Sequence, residues 1–497
     1  MPMFANDSRQ FKFDVLLEAC KQAYEGEMDE TKVHAHAREL VSLGGERVRC
    51  CVYKEREVLR QRVRLALGQM ASDTAPYNPR QIVQVIDAAC DGCTIRKIRV
   101  TDNCRKCMAK SCMGACHFGA ISMGTDRSQI DYAKCKECGM CAKACPYNAI
   151  VVTERPCYAH CPVQAISWDA NGIAVIDENK CINCGQCELA CPFGACEDIS
   201  WVVPVVTALR MGVPTYAIVA PSIQGQFENA TLPQIRKAIE QLGFEKCFEV
   251  ALGADAVAKY EAAELKEHME AGVPLTTSCC PGFVNMLKMH YPDIYANNKS
   301  TTVSPMMAIA NKLKKEHPDH GIVFIGPCVA KKQEAMEYVS AVDYVLTYEE
   351  LAAMMVAKHI VASDMVVEDD GHASNYGRGF AASGGVAAAV QQAMKEAGEQ
   401  PVKAVYANGA FECKQQLQLI KAGKFPADIL EGMCCVGGCI GGPAALVPAA
   451  QVKGRMIKEN MPNREKTIKV SLDDNSFDGV NMHVVMRKQE ENANAGD

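Results

Sequence analysis

The chain has 497 residues, enough for about three domain-sized units, and its 53 basic against 59 acidic side chains, with no basic run, argue against nucleic acid as a partner. No stretch approaches the ~20 apolar residues of a membrane span, and the opening MPMFANDSRQFKFD lacks the pattern of a secretory signal, so a cytoplasmic protein is expected. Twenty-eight cysteines in a reducing compartment read as metal ligands, not as a disulfide framework.

Residues 1–80 read as an N-terminal helical region: VLLEACKQAY, VHAHARELV and EREVLRQRVRLALGQM space their apolar residues for helices. Residues 81–200 are dominated by cysteine. Residues 201–450 change to apolar strands followed by helices, an α/β pattern in which YAIVA, VPLTTS, GIVFIG and AVYANGA are the predicted strands. Several run straight into Pro, Gly or Cys turns, and parallel sheets bind ligands at such strand ends. The polar remainder, 451–497, reads as a surface extension with a frayed end.

Within the cysteine-rich stretch, Cys135, Cys138, Cys141 and Cys145-Pro146 match the bacterial four-iron cluster run, and Cys181, Cys184, Cys187 and Cys191-Pro192 repeat it. A structural zinc site needs only four ligands and does not require this repeated spacing. Two looser copies accompany them: Cys104, Cys107, Cys112 and Cys116, then Cys157 and Cys161-Pro162. Pairing the repeats assigns Cys104, Cys107, Cys112 and Cys145 to one cubane. Cys135, Cys138, Cys141 and Cys116 make a second, and Cys181, Cys184, Cys187 and Cys161 a third. Cys157 and Cys191 remain two ligands short; Cys90 and Cys93 have the spacing to complete a fourth cluster, with Cys50, Cys51 and Cys196 as alternative donors. The expectation is three to four [4Fe-4S] clusters, an electron wire ending at a catalyst.

Three further cysteine turns supply that terminus: Thr277-Ser278-Cys279-Cys280-Pro281-Gly282, Gly326-Pro327-Cys328-Val329-Ala330-Lys331-Lys332-Gln333-Glu334, and Glu431-Gly432-Met433-Cys434-Cys435-Val436-Gly437-Gly438-Cys439. Too remote for a local cluster run, they suit a shared pocket. In these three ordered signatures the chain resembles the [FeFe]-hydrogenases, over roughly Thr215 to Pro448, in their divergent monomeric branch. The resemblance implies an α/β two-lobed catalytic domain with an H-cluster crevice, preceded by an α+β ferredoxin-like multi-cluster domain and the N-terminal helical segment. It implies reversible interconversion of hydrogen with protons and electrons, and an H-cluster: a cubane joined to a two-iron centre bearing CO, CN and azadithiolate.

Carried over by position, Cys280, Cys328, Cys435 and Cys439 would hold the cubane, Cys439 bridging to the two irons. Lys331 would donate to one cyanide, and Ala220, Pro221 and Ser222 would face the other. Ser304 and Met433 match pocket positions, and Phe380 a packing one. Cys279 matches a proton-relaying thiol, with Glu261 and Glu264, three apart on one helix face, as the next carriers and Ser300 as intermediary. A soluble ferredoxin and hydrogenase maturation proteins are the implied partners.

Gly326, Met306, Phe283 and Pro443-Ala444 depart from the family pattern. Cys434 stands where alanine is common; it reads as a small buried residue, or as a second thiol tuning the cofactor. Cys20, Cys247 and Cys413 read as packing cysteines, and His117 and His160 as surface or supporting groups. An assembly protein for iron–sulfur clusters and a hydrogen sensor are the competing functions, the first disfavoured by the retained relay residues.

Overall fold

The computed structural model describes residues 7–26, 31, 32, 34, 35, 51–73, 78–90, 93, 96–338, 341–367 and 373–485. The first and third predicted N-terminal helices form, as Asp7–Glu25 and Val52–Ala66. VHAHARELV, like Cys50, lies largely or wholly outside the described residues. Among the described residues no helix is long and apolar enough to cross a membrane.

The cysteine-rich region is built from short antiparallel pairs between and around the cysteine loops: β1 (Val83–Val85), β2 (Ile98–Val100), β3 (Ile121–Met123), β4 (Ser128–Ile130), β5 (Ile150–Val152), β6 (Ile166–Trp168), β7 (Ala174–Ile176) and β8 (Cys196–Asp198). β2 pairs with β5, β3 with β4, β6 with β7 and β1 with β8.

The strands that follow are β9 (Thr215–Val219), β10 (Lys246–Glu249), β11 (Leu275–Thr276), β12 (Gly321–Ile325), β13 (Tyr344–Leu346), β14 (Ala404–Asn408) and β15 (Ile429–Met433). They form two parallel sheets, one in the order β10-β9-β12-β13 and the other β11-β15-β14. β9 and β15 are buried throughout, as strands covered on both faces by helices must be. Three predicted strands match β9, β12 and β14 closely. VPLTTS contributes only Leu275 and Thr276, because the chain turns at once into the cysteine loop.

The expectation for the C-terminal stretch needs correction. Residues 451–485 are not a loose surface extension: the helices Ala449–Asn460 and Ile468–Asp474 pack onto the α/β region. Val452, Ile468, Phe477 and Met482 are buried, spaced too irregularly among polar residues to advertise a buried face.

A buried ion network joins the parts. Lys332, fully buried, places its amine 2.6 Å from Asp198 and 3.2 Å from Glu350, and donates to the Ile199 carbonyl. Asp198 also receives Lys12 from the first helix at 2.8 Å, and Lys12 reaches Glu349 at 2.9 Å. The network spans the N-terminal helix, the end of the cluster region and the helices Ala330–Glu337 and Tyr348–Ala357. Removing one partner from such a site strands the others in low dielectric. Lys332→Ala is expected to cost ~3–5 kcal/mol, seen as a lower thermal midpoint of cluster-loaded protein. Arg60→Ala, which breaks half-exposed pairs with Glu57 and Asp73, should shift the midpoint by less than about two degrees.

Candidate active site and cluster sites

The chemistry-bearing loops all leave the carboxyl ends of parallel strands. β9 runs into Ala220-Pro221-Ser222 and β12 into Gly326-Pro327-Cys328, in one sheet; β11 runs into Thr277–Cys280 and β15 into Cys434-Cys435, in the other. Loops of both sheets line one cavity with an empty volume of about 740 Å³. Ala220, Pro221, Ser222, Cys279, Lys331, Phe380 and Met433 contribute to its wall, as do Cys280, Cys328, Cys435 and Cys439. The rest is apolar, including Val250, Met306 and Phe324.

Each thiol's protonation follows its surroundings. Burial pushes Cys328 and Cys439 up to about 12, and each is raised further by the charge of Cys280 nearby. Cys435 is also held high by burial and by Cys328, Cys280 and Cys439. Cys280 is drawn down to about 6, first by the S–H of Cys434, then by the backbone N–H groups of Cys434 and of Phe283, the latter in the first turn of the Pro281–His290 helix, against its burial. Four mutually repelling thiols in an apolar cavity are a poor arrangement for a bare fold. They suit a cationic iron–sulfur body that all four can ligate. Among the described residues no three His, Cys, Asp or Glu side chains could hold a single metal ion; a cubane spreads its ligands over a wider frame.

Lys331 is buried beside the cavity, its Nζ 2.5 Å from Glu334 Oε2 and 3.0 Å from Ser304 Oγ. Burial works against its charge, but Glu334 and the neighbouring thiols more than offset that and keep it protonated. Ser304 thus reaches the site through Lys331. The Ser222 hydroxyl is 2.7 Å from the hydroxyl of Tyr348, a buried residue in no cysteine motif that sequence reasoning passed over. Phe324 explains the departure at Gly326: a Cβ there would lie 2.5 Å from its ring, so the ring occupies space a larger residue would take.

Behind Cys279 the structure assembles the remaining expected residues. Glu261 and Glu264 lie on the Val250–Ala271 helix. Glu261 is fully buried, and its Oε1 accepts from Ser278 N (3.1 Å) and Ser278 Oγ (3.2 Å). Burial raises its carboxyl to about 7; Glu264 adds to the rise, while bonds from Ser278 and Ser300 oppose it. The Ser300 hydroxyl, beside Glu261, gives its one proton to Glu264 Oε2 at 2.5 Å. Ser300 therefore stands between the two carboxyls. Cys279 is raised by burial first and by the charge of Glu261 second.

The cluster repeats share one backbone pattern, including the degenerate ones. Cys116, Cys145, Cys161 and Cys191 each accept from the N–H four residues on, at Ala120, Ala149, Ala165 and Ala195, at 3.2–3.4 Å. In each turn the third residue after the cysteine, Gly119, Asn148, Gln164 or Gly194, has a positive φ. N–H groups aimed at sulfur stabilise a thiolate. Cys116, Cys135, Cys138 and Cys141 line one small cavity. Cys104 and Cys112 both lie 3.7 Å from Ser128 Oγ; Cys107 shares the loop between them. Burial, with Cys187, Cys181 and Cys161 beside it, holds Cys184 high, and burial with Cys191, Cys187, Cys90 and Cys93 around it pushes Cys157 up to about 12. Of the alternative donors, Cys196 bonds to both Cys187 and Cys191, and Cys51 sits at the start of the Val52–Ala66 helix. Cys20, Cys247 and Cys413 are fully buried in apolar cores, and His117 and His160 are exposed.

The Cys181–Cys187 loop abuts the catalytic cavity. Gln186 Nε2 is 3.8 Å from Cys435 Sγ. Gln333 accepts from Asn183 at 2.7 Å and from Asn285 at 2.9 Å, clamping this loop to the helix that carries Lys331. Gly185 makes the approach possible: with φ +72, a Cβ would lie 2.7 Å from Pro443, one of the departures from the family pattern.

A fold that raises a carboxyl's pKa gains stability from it below the ordinary 4.5 and loses that gain as pH rises to about 7. Glu261→Gln is therefore expected to raise the thermal midpoint relative to the parent at about pH 8.5, and by clearly less at about pH 5. Equal shifts at both pH values would place the carboxyl in its normal range.

Family comparison agrees with this geometry. Residues 213–443 match the model described as iron only hydrogenase large subunit, C-terminal domain; residues 155–195 match a 4Fe-4S dicluster domain and 128–151 a 4Fe-4S binding domain. The periplasmic [Fe] hydrogenase large subunit of Nitratidesulfovibrio vulgaris is 28% identical over 383 residues, covering 64% of this chain and 86% of that one. Iron hydrogenase 1 of Clostridium pasteurianum is 29% identical over 258 residues, 42% of this chain and 44% of that one. A solved variant of the [FeFe]-hydrogenase from Chlamydomonas reinhardtii aligns at 21% identity with a TM-score of 0.45, over 55% of this chain and 94% of that chain.

Proposed function

Since the chain belongs to the iron-only hydrogenase family, as an oxidoreductase of the [FeFe] type, we propose that it interconverts molecular hydrogen with two protons and two electrons at an H-cluster. One observation carries the reading: four thiols from remote loops share an apolar cavity whose wall includes Cys279, with buried Glu261 behind it. When bound, the H-cluster would supply the open iron position and the bridging amine at which hydrogen is split heterolytically.

The protein's own part follows from its side chains. Cys280, Cys328, Cys435 and Cys439 would hold the H-cluster. The Lys331 ammonium, steadied by Glu334 and Ser304, would offer a buried donor to an anionic cyanide of that group, and the Ala220-Pro221-Ser222 turn would supply the polar contact on another side of the cavity. Met433 and Phe380 wall the cavity and keep water out. The Cys279 thiol exchanges a proton with the pocket, and Glu261, Ser300 and Glu264 pass it outward along the bonds described. A carboxyl held near 7 gives and takes protons readily at neutral pH.

Four accessory [4Fe-4S] clusters carry the electrons. The dicluster match at 155–195 contains six cysteines, two short of a pair of cubanes, and Cys90 and Cys93 face Cys157 and Cys191 to complete them. The outer module supports a soluble, acidic ferredoxin as partner: between Arg96 and Cys145 ten Lys and Arg oppose four Asp and Glu, in a chain of net charge −6. Arg99, Arg105, Lys106, Lys110, Lys136 and Lys143 are all exposed there. Cofactor insertion calls for separate maturation proteins. The number of thiols supports a cytoplasmic setting, which cell fractionation tests.

Infrared spectra of matured protein should show iron-bound carbonyl and cyanide bands, and the same sample should evolve hydrogen with a reduced dye. Spectra without such bands in fully loaded protein would sink the reading. Glu261→Gln should keep the bands and lose about 10²-fold in rate. Ferredoxin-driven evolution should weaken as salt rises, while dye-driven evolution should not.

A further inference from the structure

We propose that His483, on a segment beyond the matched hydrogenase domain, is the outermost proton carrier of this protein, exchanging protons between solvent and Glu264 through the Thr301 hydroxyl. The inference rests on the relay reading above.

The matched domain ends at residue 443, yet the chain returns to the relay some forty residues later. Residues 482–484 lie antiparallel to 301–303: Val303 N–H donates to the Met482 carbonyl at 2.8 Å, Val484 N–H donates to the Thr301 carbonyl at 3.0 Å, and Thr302 bridges His483. Met482 is 1% exposed and anchors the pairing. The imidazole is thereby held over the end of the relay, exposed to solvent, with the Tyr260 ring edge-on to it.

Glu264 has two faces. Its Oε2 accepts from Ser300 on the buried side at 2.5 Å, while its Oε1 accepts from Thr301 N at 3.1 Å and from the Thr301 hydroxyl. That same hydroxyl lies 3.0 Å from His483 Nδ1. Because Thr301 Oγ1 donates its proton to Glu264, it can only accept from the ring, which requires the Nδ1–H tautomer. The groups at the ring are then Tyr260 from the helix and Thr301, with Glu264 one hydrogen bond beyond Thr301.

Inward transfer balances simply. A hydronium ion in solvent gives a proton to Nε2 and is left as water, Nδ1–H gives its proton to Thr301 Oγ1, and the hydroxyl's own proton passes to Glu264 Oε1. The ring, left as the Nε2–H tautomer, regains Nδ1–H by exchange with solvent as the hydroxyl turns back to Glu264. One proton enters and one is delivered, and histidine and threonine end neutral. Uptake of hydrogen runs the sequence in reverse. An imidazole suits this place because it binds and releases protons near neutral pH, whereas a hydroxyl alone cannot hold one.

Two measurements test the proposal. In cluster-loaded protein, 15N spectra of labelled histidine should show the His483 ring protonated and hydrogen-bonded at Nδ1, and Thr301→Val should abolish that bond. In matured protein, His483→Gln should slow dye-driven hydrogen evolution about tenfold with infrared bands and thermal midpoint unchanged. Added 4-methylimidazole should restore much of the rate in His483→Gln but not in Thr301→Val. An Nδ1 without its proton, an unchanged rate in His483→Gln, or a loss that no imidazole rescues would overturn the role of His483. Full activity in Glu261→Gln, or a parent without hydrogen chemistry, would instead overturn the relay reading beneath it.

Discussion

The structure depends on two adjacent lysines pointing opposite ways. Lys331 turns toward the catalytic cavity, and Lys332 turns into the buried network of Asp198, Glu350 and, through Asp198, Lys12. Burying so much charge is favourable only if every group is paired, so the network tolerates little relative displacement of the parts it joins. Those parts are the N-terminal helix, the last strand of the cluster region and the helix that follows Cys328. The burial that makes Lys332 costly is what holds one cavity wall against the accessory clusters.

That constraint is reinforced where sulfur meets sulfur. Gln333, next in sequence, gathers Asn183 from the cluster loop and Asn285 from the helix begun by Cys280. Glycine supplies the remaining freedom: at Gly438, with φ +86, a Cβ would lie 2.6 Å from the Ser383 amide, so the turn between Cys435 and Cys439 closes only without a side chain. Four thiols are thus pre-placed at the ends of strands from two sheets, and the mutual repulsion they would suffer when ionised is relieved by binding iron. Preorganisation of this kind makes the site selective for a ligand that can be gripped from both sheets at once.

Local spacing made much of this legible. The cysteine runs, their small-residue turns and the strand-to-loop transitions at β9, β12 and β15 all follow from residues a few positions apart, and the turns at Cys116 and Cys161 show that even worn copies keep their backbone. What stayed illegible is tertiary. A lysine doublet does not say which member is buried, Tyr348 carries no signature of its contact with Ser222, and the polar stretch after 450 conceals the few apolar residues that pin it down. Glu261 and Glu264, three apart on a helix, read equally well as a solvated face. Only the packing of Leu275–Ser278 and Ser300–Thr302 over that helix turns the first into a buried carboxyl.

Under the proposed function, the same packing would separate two kinds of traffic. The Cys181–Cys187 loop approaches the cavity from the Cys435 side, where Gln186 touches sulfur and the surroundings are amide and apolar. The carboxyls and hydroxyls approach from the Cys279 side, along the Val250–Ala271 helix. Proton carriers must be ionisable and hydrogen-bonded in file, whereas clusters need sulfur ligation and exclusion of water. One wall cannot satisfy both demands, because ionisable groups lined up beside a cluster would shift its potential each time a proton passed. Drawing the cavity from separate loops resolves the conflict: the loop after β15 carries Cys435 on the side of the Cys181–Cys187 loop, and the loop after β11 leads through Ser278 to the carboxyls.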